Sequence, residues 1–146
     1  MRGLAWILGI VAGLGLTAQV GMNSQLRKVL DSANLAALIS FLVGTLALVA
    51  LLVGTRTPLP GREALGAVPL WAWFGGVLGA VYVASSTVVA TELGATTLLA
   101  LALLGQLAGA LVVDHYGWLG LPVNPLTGTR IAGVVLLGIG VWLVSR

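Results

Sequence analysis

Long apolar stretches alternate with short polar ones along the whole of this chain. An α-helix crosses a bilayer with about 20 apolar residues at a rise of about 1.5 Å each, and five of the apolar stretches approach that length. The residues between them are mainly charged residues, Gly, Pro and Asn, which are typical of turns. The pattern therefore predicts five transmembrane helices, at approximately residues 3–25, 35–53, 68–91, 93–114 and 130–144.

The boundary between the third and fourth spans is marked by few polar residues. The apolar run from Val68 to Asp114 would be about 70 Å long as one helix, which is twice the thickness of a bilayer core. A reversal is therefore required, and Glu92-Leu93-Gly94 is the one segment with turn-forming character. Thr127 or Thr129 is expected to cap the start of the fifth helix.

Composition supports a membrane protein and disfavours several other classes. Hydrophobic residues make up 59% of the chain and charged residues only 8%, against about 25% charged in soluble domains. The seven basic residues lie singly or in pairs at span ends, so no nucleic-acid partner is expected. With no cysteine, one histidine and no hydrolytic or phosphate-binding motif, we expect no metal site, no cofactor and no enzymatic activity. A cleaved signal peptide is the alternative reading of the N-terminal span.

The charges at the span ends give almost no preference for one orientation in the membrane. With five spans, four basic residues fall on one side and three on the other: Arg2, Arg56, Arg62 and Arg130 against Arg27, Lys28 and Arg146. Because Lys/Arg bias fixes orientation, we predict dual topology, in which copies insert both ways and pair antiparallel. The alternative is that one charge, or the first span alone, decides. A five-span unit is also half of an inverted-repeat transporter, so a second, inverted copy would supply the other half.

Three amide side chains lie within the predicted spans. Gln19 and Asn23 are four residues apart and share one face of the first helix, and Gln106 lies in the fourth. Measured from the side of the N-terminus, Gln19 is about 24 Å deep and Gln106 roughly 10 Å. An antiparallel pair would bring Gln19 of one copy near the level of Gln106 of the other. The amides then either line a shared polar cavity or bond one helix to another.

Small residues are spaced for close helix packing. Glycines four apart allow helix backbones to approach, as in GxxxG motifs. Hydroxyl residues in the spans, Ser86 and Thr87 among them, are expected to bond to carbonyls of their own helix four residues back. The glycines predicted to mediate helix packing are Gly9, Gly13, Gly75, Gly79, Gly105 and Gly109.

Asp114 is the acidic residue closest to the interior of a predicted span. Carboxylates near lipid are costly and often functional, so Asp114 and Arg130 are candidates for coupling or gating. The alternative is that Asp114, at a span end, only reaches water or pairs with Arg130. His115, beside it, is expected to be an interfacial residue rather than a metal ligand.

Several of these residues occur in a recognisable order. The chain resembles the YdcZ-like family of the drug/metabolite transporter superfamily in Gln19 and Asn23, in Ser40-Phe41 with Gly44, and in Gly105-Gln106 followed by Asp114-His115-Tyr116-Gly117. Trp73, Gly75, Gly76, Gly79, Arg130 and Gly133 also match, so the resemblance covers the whole chain. It implies an all-α, five-helix unit like half of a ten-helix transporter, assembled as an antiparallel dimer.

The resulting hypothesis is a small-solute transporter of the inner membrane that works by alternating access. Its expected partners are the lipid bilayer, an inverted copy of itself and a small-molecule solute. Gln19, Asn23 and Gln106 would line the binding site. A passive channel and a scaffold subunit without transport activity remain the alternatives.

Overall fold

The chain is helical throughout most of its length. A computed structural model describes the backbone of residues 2–146 and the side chains from Gly3 onward, so the charge of Arg2, counted above, lies outside the described side chains. The α-helices are α1 (Arg2–Leu30), α2 (Ala33–Gly54), α3 (Arg62–Gly66), α4 (Gly75–Leu93), α5 (Ala95–Tyr116) and α6 (Gly128–Val144).

Helix α1 continues through the residues expected to form a polar link. Arg27 and Lys28 form its last turn, where positive side chains interact favourably with the helix dipole. The helix stops where Asp31 adopts a φ of 48°, a left-handed conformation that ends a helix. Ser32 then caps α2, its side chain accepting a hydrogen bond from the backbone N–H of Leu35 at 3.2 Å.

The loop after α2 contains short helical segments. Helix α3 occupies one turn of it, and Pro69, with extended backbone, precedes a 3-10 segment at Leu70–Phe74 that leads directly into α4. A proline fixes its own φ and lacks an N–H, so it suits a position just before a helical turn. The pair Trp71 and Trp73 lies in this 3-10 segment, and both side chains are exposed.

The helix break between α4 and α5 lies within the segment predicted from the sequence. Helix α4 ends at Leu93, Gly94 has a φ of +83°, and α5 begins at Ala95. Glycine is the residue that adopts this conformation without a steric penalty. One residue is therefore sufficient to interrupt the long apolar run.

Helices α5 and α6 are joined by a loop with two glycines of positive φ, Gly117 and Gly120. Thr127 caps α6, as expected, by accepting a hydrogen bond from the N–H of Arg130 at 3.3 Å. Helix α6 has 17 residues and is shorter than the other apolar helices. Within residues 2–146, four segments are long and apolar enough to cross a membrane: α1, α2, Leu70–Leu93 and α5.

The chain divides into two compact units, one that ends at Val88 and one that comprises Val89–Arg146. In the first unit α1 packs against α2, with Ala36 and Ala37 buried. In the second, α5 packs against α6, and Gly138 approaches Leu104. Most large apolar side chains are exposed in both units, as expected for helices whose outer surface is covered by lipid.

Candidate functional site

The first unit contains a group of buried polar side chains on α1 and α4. Asn23 is 4% exposed, Ser86 is 4% exposed and Thr87 is completely buried. Ser86 donates a hydrogen bond to the carbonyl of Val83 at 2.9 Å, and Thr87 to that of Ala84 at 2.8 Å. Both hydroxyls thus bond to carbonyls of their own helix, as expected, but the acceptor lies three residues back and not four.

Arg27 connects α1 to α4 within this unit. Its Nη1 donates to the backbone carbonyls of Thr87 at 3.2 Å and Val88 at 3.4 Å. Because Arg27 lies four residues after Asn23, the two side chains project from the same face of α1. Arg27 therefore joins the end of α1 to α4, and Asn23 lies buried one turn before it on α1.

The sequence does not identify Arg27 as part of a site, because Arg27 lies in the predicted polar link between the first and second spans. The spacing of Gln19, Asn23 and Arg27, each four residues after the last, is the signal that would have found it. Next to Asn23, the hydroxyl of Ser24 is buried and has no hydrogen-bond partner among the described residues. A buried unpaired hydroxyl is available to a ligand or to a second chain.

The other two predicted amides are exposed on their helices. Gln19 lies one turn before Asn23 on α1 but is exposed, and Gln106 on α5 is exposed as well. An amide facing hydrocarbon without a partner costs on the order of a few kcal/mol. In a membrane, these two side chains therefore require cover from another polar surface.

A groove of about 340 Å³ lies between α2 and α4 in the first unit. Asn34 contributes an amide to a lining that is otherwise apolar, with Ala37, Phe41, Ala80 and Ala84 among its residues. Small side chains on both helices create this space, which the sequence did not predict.

The predicted packing glycines differ in their surroundings. A Cβ added at Gly79 would lie 3.3 Å from Cζ of Phe41, so this glycine permits close contact between α4 and α2. A Cβ added at the remaining five would meet no described atom within 4 Å: Gly9, Gly13, Gly75, Gly105 and Gly109. For these five, helix packing remains a prediction that involves surfaces outside the single chain.

Asp114 and Arg130 form an ion pair in the second unit. Nη2 of Arg130 lies 2.5 Å from Oδ2 of Asp114, and both side chains are about three-quarters buried, at 28% and 27% exposure. Nη1 of Arg130 donates to the carbonyl of Asn124 at 2.9 Å, and the N–H of Asn124 donates to the carbonyl of Asp114 at 2.8 Å. The ion pair therefore holds the loop at Asn124 against the end of α5 and the start of α6.

His115 contributes a further bond to the same loop. Its Nδ1 accepts a hydrogen bond from the backbone N–H of Leu126 at 3.3 Å. The imidazole also makes an edge-to-face contact with Tyr116, with ring centroids 4.8 Å apart. His115 thus acts here as a hydrogen-bond acceptor, a role that residue order alone did not indicate.

The similarities to known proteins cover almost the entire chain. Residues 4–143 match the family model described as "Putative inner membrane exporter, YdcZ". The chain is 31% identical over 137 residues to inner membrane protein YdcZ of Escherichia coli (strain K12), which covers 94% of this chain and 91% of that protein. No solved structure matches this chain at a significant level.

Proposed function

Because this chain belongs to the YdcZ family of inner membrane proteins, we propose that it is a small-solute transporter that works by alternating access as an antiparallel homodimer. It is a multi-pass protein of the inner membrane. The family's description as an exporter points to a membrane transporter rather than an enzyme. The solute, the dimer and the mechanism of access are our proposal.

The observation that carries the proposal is the exposure of Gln19 and Gln106 on otherwise apolar helices. A single chain leaves both amides facing lipid, whereas a second copy can enclose them. The buried Asn23 and the unpartnered hydroxyl of Ser24 supply polar groups on the same helix as Gln19. Amides and hydroxyls are suited to hydrogen-bonding an uncharged or weakly polar solute.

An antiparallel arrangement is favoured over a parallel one by charge and by depth. The basic residues are divided four to three between the two sides, so insertion in both orientations costs little. This count requires α6 to be a fifth span. With 17 residues, α6 lies at the lower end of the length that a membrane helix needs. Gln19 and Gln106 then reach similar depths only in copies that face opposite ways.

Cross-linking between single cysteines tests the arrangement, and the chain has no native cysteine to interfere. Differently tagged Gln19→Cys and Gln106→Cys copies are co-expressed and treated in membranes with a short bifunctional maleimide. We expect a mixed-tag product from the Gln19/Gln106 combination and little from either variant with itself. Leu48→Cys, on the exposed apolar surface of α2, measures random collision. Predominant Gln19–Gln19 cross-linking would show that the copies face the same way.

Transport itself is tested in proteoliposomes with a panel of small polar solutes. For a solute that the unmodified protein accumulates, Gln106→Leu is expected to reduce the initial rate about tenfold, since losing one buried hydrogen bond costs about 1.4 kcal/mol. Leu101→Met, an exposed apolar position on the same helix, serves as the control. Undiminished uptake by Gln106→Leu would contradict a binding role, and flux that does not saturate would identify a channel instead.

A further inference from the structure

The loop that joins α5 to α6 is fixed at its C-terminal half by hydrogen bonds to the side chains of Arg130 and His115 and to backbone groups of Asp114 and Arg130. Asp114 and Arg130 hold Asn124, His115 holds Leu126, and Thr127 caps the helix that follows. At its N-terminal half, Gly117 and Gly120 have positive φ, and so does Leu119, at 58°. The attachment of this loop to α5 and α6 therefore depends on a small number of polar contacts. We call residues 117–127 the strap.

One of these contacts depends on protonation. A nitrogen of imidazole accepts a hydrogen bond only while it carries no proton, and in the charged form both nitrogens are donors. The bond from the N–H of Leu126 to Nδ1 of His115 therefore exists only when His115 is neutral. Protonation at Nδ1 also places two donors against each other, which is repulsive.

The groups that face His115 do not replace this bond. On α5 the neighbouring titratable residues are Asp114 and Tyr116, and on α6 Arg130 is paired with Asp114. The strap itself contains no titratable side chain. Once His115 is charged, the N–H of Leu126 therefore loses the acceptor that the structure provides for it, while the carboxylate of Asp114 is engaged by Arg130.

We propose that protonation releases one end of the strap: neutral His115 holds Leu126 on α5, and protonation of His115 frees the segment around Leu126. Histidine is the side chain whose charge changes between about pH 5 and 8. This inference concerns one loop and stands whether or not the protein is an antiparallel transporter.

Spin labelling of the full-length protein in liposomes tests the proposal directly. A nitroxide is attached to Leu126→Cys, which keeps the backbone N–H that His115 accepts, and to Leu59→Cys in the loop after α2 as a control without a histidine contact. We expect the mobile spectral component at Leu126 to become the major one as the pH falls from 8 to 5. The Leu59 spectrum should not change.

Two variants of His115 separate the proposed bond from a general effect of acid. His115→Asn places a non-titrating acceptor oxygen near the position of Nδ1, so the strap should stay immobile from pH 8 to pH 5. His115→Phe retains the ring contact with Tyr116 but has no acceptor, so the strap should be mobile throughout. A pH transition that persists in His115→Asn, or its absence in the unmodified protein, would overturn the proposal. Because the readout is loop mobility, failure of the transport hypothesis would leave these results unaffected.

Discussion

Replacing Gly117 by alanine is expected to lower the free energy of unfolding by about 2–5 kcal/mol. Gly117 ends α5 with a φ of +64°, a conformation that costs a residue with a Cβ about 1–2 kcal/mol. The new Cβ would also lie only 2.7 Å from Cγ2 of Val123, and overpacking of this kind costs about 1–3 kcal/mol. A β-branched valine has little rotamer freedom with which to move away. Denaturant titration in mixed micelles measures the change.

Gly120 provides the matched control for this variant. It also has a positive φ, +76°, but a Cβ added there meets no described atom within 4 Å. Gly120→Ala should therefore lower the free energy of unfolding only by the conformational cost, about 1–2 kcal/mol. The Gly117→Ala/Val123→Ala double variant should recover the packing part of the loss. Equal destabilisation by the two glycine variants would show that contact with Val123 is unimportant.

The second large effect is expected at the ion pair. Arg130→Gln leaves the carboxylate of Asp114 without its partner and removes the bond to the carbonyl of Asn124. An exposed ion pair contributes about 0–1 kcal/mol to stability. Removing one member of a buried ion pair lowers stability by about 3–5 kcal/mol. With both side chains about three-quarters buried, we expect a loss of about 1–3 kcal/mol. The free energy of unfolding in micelles at pH 7 is the quantity to measure.

A double-variant cycle distinguishes the pair from its members. Asp114→Asn/Arg130→Gln removes the uncompensated charge, so it should be more stable than Arg130→Gln alone. Arg62→Gln, on the exposed face of α3, should change stability by no more than about 0.5 kcal/mol. Strict additivity of the two single variants would mean that the side chains are not energetically coupled.

Much of the helical framework is specified by local sequence. The break at Gly94 follows from a glycine that lies two residues after the acidic Glu92 in a long apolar run. The cap at Thr127 follows from its position before an apolar segment. The continuation of α1 to Leu30 was not anticipated, because Arg27 and Lys28 have the composition of a link. Their preference for the C-terminal end of a helix explains the difference.

The site was only partly accessible from sequence. Asp114 and Arg130 were recognisable as partners because opposite charges at adjacent span ends are few in this chain. The contact of Arg27 with α4 was not, since its acceptors are the backbone carbonyls of Thr87 and Val88, which every residue possesses. The role of His115 as an acceptor likewise depends on the path of the loop. Contacts to main-chain atoms can be identified only from the three-dimensional structure.

The unequal lengths of α1 and α6 have a consequence for the surrounding lipid. The 29 residues of α1 extend for about 43 Å, and the 17 residues of α6 for about 25 Å, around a hydrocarbon core of about 30 Å. If α6 crosses the membrane, α1 must tilt so that its longer apolar surface stays within the hydrocarbon core. The bilayer must become thinner beside α6 to match its shorter apolar surface. Hydrophobic mismatch of this kind makes the energy of the protein depend on bilayer thickness. Lipids with shorter tails would gather beside the last helix.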